Sequence, residues 1–106
     1  MTDLEITRLC AEAMGLEFKV ARELWCDDAP LAIWTKDGEY RPLHDDAQAM
    51  ALVKKFGIGI DQGKPGADLS AAALFSDGQM FTAVNEDLNR AICECVAKLQ
   101  ITKEPL

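Results

Sequence analysis

The sequence is short of positive charge. Its 11 Lys and Arg stand against 18 Asp and Glu, a net charge of −7. A phosphate backbone is repelled by that balance, and a nucleic-acid binder would need a basic stripe. The nearest basic groups, Lys54-Lys55 and Lys98 with Lys103, are isolated pairs. No apolar run approaches the ~20 residues of a membrane span, so no membrane partner is expected. Histidine occurs once, at His44, and tyrosine once, at Tyr40. No basic-then-apolar leader precedes the four cysteines, Cys10, Cys26, Cys93 and Cys95. Free thiols in a reducing cytoplasm are therefore expected, and not a disulfide framework.

What the chain does contain is enough for one domain. Its 106 residues, 49% hydrophobic and 27% charged, suit a single core spanning 1–106. Residues 2–14 read as a helix. Thr2 and Glu5 match a capping box, Ile6, Leu9, Cys10, Ala13 and Met14 form one apolar stripe, and Gly15 closes it. Phe18, Val20 and Arg22 give a weak strand alternation. Residues 31–43 read as a hairpin around Asp37-Gly38, stopped by Pro42.

A second helix is expected over 45–56. Asp45 is its N-cap, Gln48 stands three residues on, and Gly57 is its stop. Residues 58–60 suggest a short strand and 61–68 a mobile loop. A second hairpin is centred on Asp77-Gly78 within 71–84. A third helix follows over 85–100, capped by Asn85, with 101–106 as a frayed tail. Hairpin then helix thus occurs twice. The fold class is α+β, an antiparallel sheet of two hairpins packed with three helices in layers.

Chemistry is sparse. His44 beside Asp45 and Asp46 is the one candidate general base, in a small hydrolase or nucleotide-binding enzyme. A helix entry accounts for the same carboxylates as cap and dipole partner. Cys93-Glu94-Cys95 has the look of a metal knuckle, but residues two apart on a helix point in different directions. Gly57, Gly59, Gly63 and Gly66 match neither a phosphate loop nor a dinucleotide fingerprint. No metal and no cofactor are implied. Trp25 and Trp34 are interface anchors if exposed and sheet residues if not.

The stretch Tyr40-Arg41-Pro42-Leu43-His44-Asp45-Asp46-Ala47, followed by an amphipathic helix, resembles small phage and prophage proteins of the phage α/β/α-sandwich family. The segments 2–14 and 87–92 are similar to those that flank this motif in such proteins. The resemblance implies expression in the cytoplasm of a bacterial host cell and carries no catalytic residues. The reading that follows is an acidic accessory protein that binds a host or phage protein and modulates host or defence proteins. Its candidate contact residues are Asp45, Asp46, Asp61, Lys64, Asp68 and Trp34. A homodimer with no further role is another reading, through a strand edge near Pro42.

Overall fold

The computed structural model describes residues 1–22, 30–61 and 68–103. The chain runs α1 (Asp3–Ala13), β1 (Lys19–Ala21), β2 (Ala32–Thr35), β3 (Gly38–Tyr40), α2 (Asp46–Phe56), β4 (Gly59–Asp61), β5 (Ser70–Ser76), β6 (Gln79–Asn85) and α3 (Leu88–Lys103). The α+β class read from the sequence is the observed one. The two hairpins lie in separate antiparallel sheets of three strands, β1-β2-β3 and β4-β5-β6. Each sheet is a meander followed by a helix, so the repeat extends beyond hairpin and helix to three strands and a helix.

Local chemistry sets the boundaries. The Glu5 amide donates to Thr2 Oγ1 at 3.2 Å, which caps α1. Its other end closes through Gly15 at φ 71°, with Gly15 N–H donating to Glu12 O and Leu16 N–H to Ala11 O. That is a Schellman pair, and it needs the left-handed conformation that glycine adopts freely. In α2 the Gln48 amide donates to Asp45 Oδ1 at 3.0 Å, so Asp45 is the cap.

Three expectations need correction. The first hairpin turns on Lys36-Asp37, not Asp37-Gly38, because Thr35 pairs with Gly38. Gly38 enters the strand at φ 115°. Only the second hairpin turns on its Asp-Gly: Asp77 and Gly78 both have positive φ, as a type I′ turn requires. Asn85 does not cap α3. It ends β6 and accepts from the Asp87 amide at 2.9 Å, while Asp87 accepts from the Asn89 amide at 3.1 Å and is the cap itself. The helix then runs on to Lys103, so 101–103 are helical and not a frayed tail; 104–106 lie outside the described residues.

The core centres on α3, which packs against β5, β6, α1 and α2. It buries Ala91, Ile92, Cys93, Cys95, Val96, Ala97 and Leu99. Those positions cover more than one stripe, as expected of a helix with neighbours on several sides. Ile6, Leu9 and Cys10 of α1, Leu52 of α2, Ile33 and Tyr40 of the first sheet and Leu74 of the second complete it. No helix among the described residues is long and apolar enough to cross a membrane.

Candidate functional site

His44 lies in the turn between β3 and α2, and its amide donates to Arg41 O at 3.0 Å. Its ring is exposed at the rim of a groove of about 330 Å³. Asp3, Trp34, Tyr40 and Arg41 contribute to the walls. The carboxylates after it are engaged elsewhere. Asp45 holds the Gln48 amide, and Asp46 accepts from Asn89 Nδ2 at 2.8 Å, joining the start of α2 to that of α3. Helix entry accounts for both.

Gln48 does more than complete a capping box. Its Oε1 accepts from the Arg41 amide at 2.6 Å and its Nε2 donates to Glu39 O at 3.3 Å. The side chain therefore fastens the end of β3 to the first turn of α2, which places His44 on the groove.

Trp34 is half-buried, and its Nε1 donates to Ala21 O at 3.1 Å across the β1–β2 pair. It lines the first groove and also a second of about 820 Å³ beside Phe18 and Lys19. It serves the sheet and leaves only part of its surface exposed. Asp61 ends β4 and Asp68 is exposed just before β5. Lys64, Trp25, Cys26 and the rest of the loop expected over 61–68 lie outside the described residues.

Cys93 and Cys95 point to different neighbours. The Cys10 thiol of α1 donates to Cys93 O at 3.4 Å, and the Cys95 thiol donates to Phe81 O of β6 at 3.1 Å. All three residues are buried and unbridged. Burial pushes the Cys95 thiol up, and contact with Cys93, with burial next, pushes the Cys10 thiol up further. Neutral thiols of this kind pack as small apolar groups.

The sequence reading missed the outer face of the second sheet. Ala72, Leu74 and Ala83 point inward and are buried. Phe75, Met80 and Val84 point the other way and are 68%, 56% and 56% exposed. Phe75 stands directly opposite Met80, Ala73 opposite Thr82 and Ala71 opposite Val84. The strip is apolar apart from the Thr82 hydroxyl. The signal was in the order Met80-Phe81-Thr82-Ala83-Val84, which is apolar at odd and even positions alike; a strand of that pattern has two faces suited to burial.

No protein-family model matches the chain, and a search of curated proteins returns no match. Among solved structures the fold is similar to that of a phage protein from Bacillus cereus ATCC 14579. The TM-score is 0.65 and the identity 18%, covering 100% of this chain and 93% of that one. The likeness is one of fold.

Proposed function

We propose that this chain is a small accessory protein of phage or prophage origin that acts by binding another protein, a host or phage protein, through the outer face of its second sheet. The observation that carries the reading is the Phe75–Met80–Val84 strip. A large aromatic two-thirds exposed beside a methionine is an unusual surface for a small acidic domain, and such strips mark interaction sites. Full burial of a side chain of this size is worth about 1.5–3 kcal/mol. Aromatic residues and methionine are also enriched in interface centres.

The resemblance of 40–47 to the phage α/β/α-sandwich proteins and the likeness to a phage-protein fold support the origin. This reading moves the contact surface away from Asp45 and Asp46, whose carboxylates serve the helix entries. It also displaces a reaction at His44, whose adjacent carboxylates are occupied in the same way.

The test is capture of partners from nuclease-treated bacterial lysate by tagged protein, read by quantitative mass spectrometry. Wild type should enrich one protein in near-equal amount, and that protein should be retained at high salt. Phe75→Ser with Met80→Ser should lose it while the circular dichroism spectrum is unchanged, and Asp46→Ala should keep it. A partner lost with Asp46→Ala and kept by the strip variant would overturn this surface.

A further inference from the structure

The in-plane edge of β6 is a separate feature from the face above it. The order β4-β5-β6 leaves β6 at the border of its sheet. The strand runs Gln79-Met80-Phe81-Thr82-Ala83-Val84-Asn85, without a charge, a proline or a glycine. Natural sheets usually blunt such an edge with a charged residue, a proline or a bulge. Here the strand's own sequence supplies none of these.

The direction of its amides follows from the turn. A two-residue hairpin makes its flanking residues, Ser76 and Gln79, a hydrogen-bonded pair. Phe81, Ala83 and Asn85 then also face β5. Met80, Thr82 and Val84 turn their N–H and C=O groups outward. Lys98 Nζ donating to Thr82 O at 2.7 Å agrees with this, since that carbonyl is reachable from outside the sheet. A carbonyl accepts two hydrogen bonds, so Thr82 O keeps one position open.

We propose that two copies of this chain pair antiparallel through β6, with Thr82 opposite its own counterpart on a two-fold axis. The strand is self-complementary in that register. Thr82 exchanges both main-chain bonds with the other Thr82, and Met80 exchanges its own with Val84. On the outer face Met80 meets Val84. On the inner face the large Phe81 meets the small Ala83. At the ends the Gln79 and Asn85 amides lie opposite each other. Thr–Thr and apolar pairs are favoured across strands. A chain of charge −7 would repel its copy at most surfaces, and this strand is uncharged. The product is a continuous sheet of six strands whose outer face carries the Phe75–Met80–Val84 strip twice.

Sedimentation velocity over a concentration series tests the association, and cysteine crosslinking tests the register. Wild type should show a reversible monomer–dimer equilibrium. Thr82→Lys places like charges directly opposite each other and should raise the dissociation constant at least about tenfold. Thr82→Pro is tolerated by an edge strand whose N–H faces solvent, and it should abolish pairing without unfolding. In a Cys26→Ser background treated with dipyridyl disulfide, Thr82→Cys should crosslink to itself, since paired Cα atoms lie about 5.5 Å apart. Met80→Cys should not, because its counterpart is about 14 Å away at ~3.4 Å per residue. A mixture of Met80→Cys and Val84→Cys should crosslink. A protein monomeric into the millimolar range, or equal crosslinking of Thr82→Cys and Met80→Cys, overturns the pairing. A monomer whose partner capture still depends on Phe75 overturns this pairing alone and leaves the binding reading standing.

Discussion

The Cys10 thiol donates to the Cys93 carbonyl at 3.4 Å and so joins α1 to α3 across 83 residues of sequence. Both cysteines are fully buried. The Tyr40 hydroxyl is buried near them and has no hydrogen-bond partner among the described residues. Alkylation needs the reagent to reach the sulfur, and Cys10, Cys93 and Cys95 are all fully buried. Iodoacetamide at pH 8 should leave Cys10, Cys93 and Cys95 unmodified in the native protein and label all three in urea. Peptide mass spectrometry reads the difference. Rapid native labelling of Cys10 would show that α1 and α3 separate readily.

Cys10, Cys95 and Tyr40 set an alkaline limit. The Cys10 and Cys95 thiols are raised above their ordinary 9.0, Cys10 by Cys93 and burial, Cys95 by burial. Burial first, then Cys10 and Cys93, raises Tyr40 above its ordinary 10.0. Each group stays protonated in the fold at a pH where the unfolded chain has released the proton. Stability is therefore full below about pH 9 and falls as pH rises from there. The urea midpoint should be level between pH 7 and 8 and lower at pH 10. A midpoint that held at pH 10 would mean these groups ionise without opening the core.

Asp45 and Gln48 divide the work at the entry to α2. Asp45→Ala removes the cap and should cost about 1 kcal/mol. Gln48→Ala removes both ties to the end of β3 and should cost about 0.5–1.5 kcal/mol for each, the net worth of a hydrogen bond whose groups water can reach. Gln48→Glu keeps the acceptor for Arg41 and should fall between wild type and Gln48→Ala. Urea denaturation at pH 7 ranks the three. If Asp45→Ala proved much the costlier, the cap and not the β3 tie would hold the turn carrying His44.

Gly38 and Gly57 differ in what they ask of a side chain. Gly57 has φ 64°, inside the left-handed region, and Gly38 has φ 115°, beyond it. Neither has a neighbour within 4 Å of an added Cβ, so crowding does not decide the outcome. Gly57→Ala should cost about 1 kcal/mol, and Gly38→Ala more, because L residues reach the first conformation and hardly the second. Thermal unfolding of the two variants gives the order directly.

The helices were legible because their signals are local. Thr2 with Glu5, Asp45 with Gln48, and Gly15 and Gly57 each act within one turn of chain. The errors fell where two local signals compete. Asp37-Gly38 and Asp77-Gly78 have the same letters, yet the first chain turns one residue earlier and uses its glycine inside the strand. Asn85 and Asp87 are both good caps, and the β6 pairing to Ser70 claims Asn85 for the sheet. The outer face of β5 and β6 was illegible for another reason. Alternation shows that a strand has two faces, but which one a helix covers depends on α3, and that is a tertiary fact. Gln48 was read as part of a cap because its second role depends on where β3 ends.

The dependence of α1 on α3 also bears on how the chain is made. Ile6, Leu9 and Cys10 leave the ribosome well before α3, their main partner among the helices. Until Leu88–Lys103 has emerged, α1 has nothing comparable to lie against. The first meander and α2 wait with it, since α2 also packs on α3. A stall before α3 would release a chain whose α1 stripe is still open, a substrate for chaperone or protease and not a partly working protein.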